Sequence, residues 1–302
     1  MSVINSSSFA KALWPGVNAW YGKAYDEYPV EHTKLFETFK SSKAFEEDVG
    51  ISSFGLAHVK PEGAPIEYDS ERQAFITRYN HVVYALGFVI TREMVDDDQY
   101  AVVGQRKAQG LAFSMRQTKE IVAANVYNRA FNSSYVGGDG KELLATDHPL
   151  FAGGTWSNEL ATAADLSEAA LEQAHIDIAG FTNDRGLLIA VKPKTLIVPR
   201  QLMFEAKRIL APDGRPGTDT NDVNAMKAMG LVPEVVVNHY LTDTDAWFLR
   251  TNAPHGMKHW ERRADAFDMD NDFDTENAKY KATARYSFGW TDPRGLFGSP
   301  GA

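Results

Sequence analysis

The spacing of hydrophobic and polar positions changes period several times along the chain, and each change marks an element. Between residues 75 and 84, Phe75, Thr77, Tyr79, His81 and Val83 share one face, while Ile76, Arg78, Asn80, Val82 and Tyr84 share the other. That is the two-residue period of a β-ribbon. From Val82 to Ile90 both faces turn apolar, as in a strand buried on both sides. The pattern predicts a hairpin over residues 55–93, with a turn near "DSERQ", a base inside a core and a tip with no apolar face of its own to bury. Its first strand holds Pro61, Gly63 and Pro65, and proline cannot donate to a ladder, so that strand is expected at an edge or irregular. A bare two-stranded ribbon is marginal in water. The tip therefore asks for a cover.

After Asp96 the period becomes helical. Tyr100, Val103, Leu111, Met115, Val122, Val126 and Ala130 form one stripe, with Asp96 to Asp98 at the positive end of the dipole and "NSSYVGGDG" as the stop. A helix over about 97–131 would be roughly 50 Å long, the whole diameter of a compact ball of this chain length. The subunit is expected to be a plate rather than a sphere. Upstream, Val17, Trp20, Tyr21, Ala24 and Tyr28 recur at helical spacing after Pro15, which suits a first helical turn. "EHTKLFETFKSSKAFEEDV" reads as a second helical piece of an arm, packed either on its own domain or on a neighbouring subunit. Downstream, "DLSEAALEQAHIDIAGFTNDRG" is a capped helix with Leu166, Ala170, Leu171, Ala174 and Ile178 inward. "LLIAVKPKTLIVP" holds two strand-like runs and "RQLMFEAKRIL" a helix, and "PEVVVNHY" and "DAWFLRT" are strands. "MKHWERRADAFDMD" and "AKYKATARYSFGWTD" are two further strands around an acidic turn.

Composition narrows the chemistry. The 302 residues contain no cysteine, which removes disulfides and thiolate metal sites, and a net charge of −9 argues against a basic face gripping nucleic acid. The start of the chain lacks a basic stretch followed by a long apolar run, and "VVYALGFVI" is too short to cross a membrane. Asp268, Asp270 and Asp272 fall at the first, third and fifth positions of a calcium loop, but Phe273 replaces its glycine and Lys279 its final glutamate. The histidines are scattered and no HExxH occurs, so no metal site is expected. Gly16 to Gly22-Lys23 superficially approaches a phosphate loop, with one residue too many between the glycines and Ala24 where Ser or Thr is needed. No nucleophile motif is present; no catalytic residue, cofactor or enzymatic activity is expected.

Several strings, in order along nearly the whole chain, resemble tailed-phage major capsid proteins of the Hong Kong 97-like fold. "FVITREMVDDDQY" is similar to the junction of extended loop and spine helix. "HPLFAGGTWSN", "TLIVPRQLMFEAKRIL" and "LTDTDAWFLRT" are similar to axial-lobe segments, and "DFDTENAKYKATARYSFGWTDPRGLFGS" to the closing strands of the peripheral domain. The resemblance implies an α+β fold with an N-terminal arm (1–54), an extended β-hairpin loop (55–93), a peripheral domain with long spine helix and β-sheet (94–140 and 252–302) and an α/β axial domain (141–251).

It also implies a function: self-assembly into an icosahedral head shell around a phage double-stranded DNA genome, with the extended loop lying over an adjacent subunit. Implied intersubunit contacts are Phe75, Ile76, Arg78 and Tyr79 on the ribbon, Glu67, Asp69, Glu71 and Arg72 in charge pairs, and Trp14 and Trp20 on the arm. Asp292 and Arg294 suit either an intersubunit pair or a local turn brace. Implied partners are further copies of the chain in hexamers and pentamers, scaffolding, portal and cement or decoration proteins, and DNA contacted without sequence preference; no membrane is implied. The implied location is the virion, with assembly in the bacterial host cytoplasm. The chain starts at the arm, which implies a separate scaffolding protein or none, and the ribbon tip has no lysine, so no Lys–Asn cross-link is expected. Two alternatives stand beside this reading: an encapsulin-like compartment shell, and a metal-dependent hydrolase using Asp268–Asp274.

Overall fold

The computed structural model describes residues 10–51, 54–63, 65–71, 73–91, 93–94, 100–150, 153–214, 222–231, 233–271 and 277–302, without the side chains of residues 10–15, 51, 100–102 and 271. Two four-stranded sheets carry the architecture. In the first, β1 (Glu37–Lys40) runs parallel to β10 (Met257–Asn271), which pairs antiparallel with β11 (Ala278–Trp290), and β11 with β4 (Val82–Ile90). In the second the order is β12 (Leu296–Ser299), β9 (Trp247–Thr251), β7 (Pro193–Pro199), β8 (Glu234–Asn238), with only β7 and β8 parallel. A short pair, β5 (His148–Pro149) and β6 (Thr155–Trp156), lies beside it.

The long helix, α3 (Tyr100–Asn128), lies across the first sheet, and its 29 residues make it roughly 44 Å long. Leu111, Met115 and Ala130 of the expected stripe are buried, and Val122 and Val126 are partly so. The closest packing comes from small residues the stripe did not include, Ala108, Ala112, Ala123 and Ala124, all fully buried. Asp96 to Asp98 lie outside the described residues. α1 (Ala10–Glu27) packs along α3 into the same core as the sheet through Val17, Tyr21 and Ala24, with Tyr21 stacked 4.5 Å on Phe267 of β10, so this part of the arm is spent on its own chain. α1 starts five residues before Pro15; the proline sits inside the opening turns instead of beginning them.

The second lobe is built on β7, whose residues alternate between two cores. Leu196 and Val198 face α4 (Glu168–Ala179) and α5 (Met203–Leu210), while Ile197 faces the end of α3. β9 does the same, with Trp247 and Leu249 on one side and Phe248 on the other. A strand buried on both faces, as the apolar run "TLIVP" predicts, is what fastens lobe to helix. α4 begins at Ser167, whose hydroxyl accepts from the Ala170 N–H, and buries Ala170, Leu171, Ala174 and Ile178 as its period predicts. Of the two runs in "LLIAVKPKTLIVP" only the second is a strand; Leu188 forms a single bridge to Thr182.

Three expectations are corrected. The segment after Glu31 is not a helical piece: only α2 (His32–Leu35) is helical, and β1 and β2 (Phe45–Ile51) follow. The partner of β3 (Gln73–Asn80) is β2, upstream, and not the Pro61–Pro65 stretch. Residues 54–71 form no strand where described, because two prolines without N–H groups cannot support a ladder. Finally β4 is covered on one side only. Tyr84, Phe88 and Ile90 face the core, while Val83 and Val89 are 53% and 43% exposed, because they lie on the outer face of the sheet, where the neighbouring Lys279 and Lys281 of β11 are exposed too.

Candidate functional site

The feature that stands clear of the two sheets is the β2–β3 ribbon with the long loop between its strands. Its base is welded to the body. Tyr79 is buried, its hydroxyl lies 2.7 Å from Thr291 Oγ1, and Gly289 leaves room for its ring. Thr291 donates to Asp48 Oδ2 at 2.6 Å, and the Lys258 ammonium binds the same carboxylate. Burial pushes the Asp48 carboxyl up, but the hydrogen bonds from Lys258 and Thr291 outweigh it and hold the group below its usual range. At the turn into β4, His81 sits between Ser287 Oγ (3.0 Å) and Ser41 Oγ (3.1 Å), and burial lowers its proton affinity. Further out, β3 passes directly over Gly138, where a Cβ would lie 2.7 Å from Ile76 O. Beyond that point the ribbon stands off the second lobe across an open cleft of about 520 Å³.

The outer part is exposed and apolar in an unusual degree. Phe54, Leu56, Val59, Ile66 and Tyr68 are 56%, 73%, 94%, 64% and 94% exposed. Single exposed apolar side chains need no explanation, but five on one loop make an apolar surface larger than that rule covers.

The residues expected at contacts divide into groups. Ile76 is exposed, Phe75 is partly buried beside the cleft, and Arg78 lays its guanidinium 3.7 Å over the Phe45 ring, with Glu47 at 4.0 Å. Glu67 lies 3.6 Å from His58 within the same loop, and Glu71 is exposed. Tyr79 is corrected: its ring and hydroxyl are committed to its own chain, because the alternation of β3 turns it inward. Asp69 already has a partner in its own chain, Arg185 of the second lobe, at 2.8 Å. Trp20 packs partly into the core beneath α1. Arg72 and the Trp14 side chain lie outside the described residues. Asp292 and Arg294 form the local brace: Asp292 accepts from the Arg294 N–H at 2.9 Å and from its guanidinium at 3.2 Å, and Arg294 stacks on Trp156.

Sequence reading missed the ties between arm and second lobe. Lys34 pairs with Glu234 at 2.7 Å, His239 with Glu31 at 2.5 Å, and Arg250 donates to Lys34 O at 2.9 Å. These partners are some 200 positions apart, and nothing local in the sequence announces them. Among the described residues, no group of three or more histidine and carboxylate side chains could hold a metal ion, and no helix is long and apolar enough to cross a membrane.

Compared with known families, the chain matches over residues 76–298 the model of a family described as phage capsid protein. No curated protein matches it by sequence. Among solved structures it is similar to the virus-like particle from Pyrococcus furiosus, at 8% identity over 94% of this chain and 97% of that one, with a TM-score of 0.54. It is similar to the procapsid of bacteriophage JBD30, at 13% identity over 97% and 75%, with a TM-score of 0.52. The capsid of the native GTA particle aligns at 13% identity over 89% of each chain, with a TM-score of 0.53. At such identities the likeness establishes the fold, which is the Hong Kong 97-like one of mixed helix and sheet.

Proposed function

This chain belongs to the phage capsid protein family, and from that membership we propose how it performs its part: each copy lends its exposed loop to a neighbour and receives another's in turn. The chain is a structural major capsid protein, a subunit of an oligomeric shell located in the virion. The encapsulin-like compartment shares the fold, so the fold does not separate the two; the family match favours the phage capsid.

In this reading residues 1–54 are the arm, 55–93 the extended loop, 94–140 with 252–302 the peripheral domain and 141–251 the axial domain. Copies close into hexamers and pentamers of an icosahedral shell around double-stranded DNA, assembled in the host cytoplasm with scaffolding, portal and cement proteins as partners. The observation that carries it is the loop's uncovered apolar row, Leu56, Val59, Ile66 and Tyr68. The outer face of the edge strand β4, with Val83 and Val89 exposed, is a second uncovered apolar surface.

Burying one such side chain contributes roughly 1.5–3 kcal/mol, whereas association costs about 4–15 kcal/mol. Four such side chains contribute roughly 6–12 kcal/mol, which only balances that cost, so one loop leaves an isolated pair of subunits marginal. In a ring every subunit gives and receives such a contact, and heterologous contacts that close around a rotation axis reinforce one another. Assembly is then cooperative.

Phe75, Ile76, Arg78, Glu67 and Glu71 are the ribbon and loop residues available for these contacts, and exposed charge pairs among them add only about 0–1 kcal/mol each. The net charge of −9 suits a wall that holds DNA without gripping it. Negative-stain microscopy of the protein expressed with and without its neighbouring genes tests the reading. Closed shells are expected in at least one case; a monomer under all conditions overturns it.

A further inference from the structure

The loop is not free in the single subunit. Arg185 reaches it with three hydrogen bonds: Nη1 donates to Asp69 Oδ2 at 2.8 Å, and Nη2 to Asp69 Oδ1 at 3.2 Å and to Ser70 O at 2.7 Å. The Gly55 N–H donates to the same Asp69 oxygen at 2.8 Å, which draws the two ends of the loop together. A Cβ at residue 55 would stand 3.2 Å from Arg185 Nη1 and 3.3 Å from Asp69 Oδ2, a close fit that would press the fork aside by a few tenths of an ångström.

The receiving turn is rigid. Asn183 Oδ1 accepts from the Arg185 and Leu187 N–H groups, both at 2.9 Å, and Gly186 takes φ +77°. Arg294 fastens the same turn to the body through Thr182 O (2.8 Å) and Asp184 (3.2 Å). A bidentate arginine on a carboxylate is geometrically specific, and here it joins positions 116 residues apart.

The geometry points to an intramolecular latch: in the free subunit Arg185 holds the loop on its own lobe, and assembly releases it so that it can cover a neighbouring copy. The inference rests on the proposed role of the loop. Its force lies in what the latch leaves undone. The closed position satisfies polar groups only, while Val59 and Tyr68 stay 94% exposed and Leu56 73%. A neighbouring surface that covers those side chains outcompetes a half-exposed ion pair, so the latched state is kept until a partner is present. The open cleft beneath the ribbon gives the loop room to leave.

Three variants test this: Asp69→Lys, Arg185→Glu and the charge-swapped double variant. Both side chains are partly exposed, so none of the three threatens the core. Hydrogen exchange on the unassembled subunit reads the latch, and light scattering reads the rate of shell formation. Each single variant is expected to lose amide protection around residues 55 and 70 and to assemble faster, about threefold or more for a surface pair. The double variant re-forms the ion pair and is expected to return assembly to the slower wild-type rate, while the protection at residue 55, whose acceptor is the Asp69 carboxylate, stays lost. Single variants with unchanged protection, with assembly at the wild-type rate or slower, or a swap that assembles as fast as the single variants overturn the latch. If wild-type protein also fails to assemble, the proposed shell role falls, and the exchange data alone still decide the latch.

Discussion

Glu120 is 1% exposed in the middle of α3, and its carboxylate is fully employed. It accepts from the His32 ring at 2.6 Å and from the backbone N–H groups of His32 (2.8 Å) and Glu31 (3.3 Å), which ties the turn before β1 to the long helix. Removing one member of a buried pair strands the other, so Glu120→Ala is expected to lower stability by about 3–5 kcal/mol, read from urea unfolding. His259 lies beside this pair, fully buried and stacked 4.3 Å on Phe288, with its Nε2 unpartnered. Burial, helped by nearby Lys119 and His32, pushes its pKa down to about 2. Its ring stays neutral in the fold, while in the unfolded chain it takes a proton as pH falls past 6.5. The stability is therefore whole above that value and is lost steadily down towards pH 2. By pH 5 this one ring should cost about 2 kcal/mol, and burial moves His81 and His175 the same way. The melting temperature should fall on acidification, and His259→Phe should flatten that slope; an unchanged slope would refute the assignment.

At the scale of elements, local periodicity was legible and pairing was not. The helix after Ser167, the double-faced strand "TLIVP" and the β10–β11 pair are written in neighbouring residues, where side-chain spacing and a cap suffice. The partner of β3 was misread because its alternation says that it pairs, but not with what; β2 lies across a loop of more than twenty residues. In the same way the outward face of β4 looked like a buried one, since Val83 and Val89 are apolar whether or not anything covers them. The crossing of β3 over Gly138 supplies a test. A Cβ there would meet Ile76 O and Thr77 Oγ1, both at 2.7 Å. Gly138→Ala should lift the ribbon and cost roughly 1–3 kcal/mol, seen as a lower urea midpoint together with faster proteolysis between residues 45 and 80.

For the whole molecule the question is what completes a subunit with an uncovered loop and an uncovered sheet edge. Replacing Leu56, Val59 and Ile66 together by serine removes the apolar row without touching the latch or either core. Monomer melting should stay within about 1–2 °C, since the side chains are exposed in the free subunit, while shells seen by electron microscopy should vanish. Shells that persist would assign the assembly contacts elsewhere. By itself the sequence determined the long helix, the capped lobe helix, the closing strands and the order of segments by which the family is recognised. All of these depend on residues near one another in the chain. Only the tertiary structure decided which strand β3 meets, that Tyr79 turns inward, that Glu120 and His32 are buried against each other and that Asp69 belongs to Arg185. Those choices are made between groups 22 to 212 positions apart, where spacing carries no signal and proximity exists only after the chain has folded.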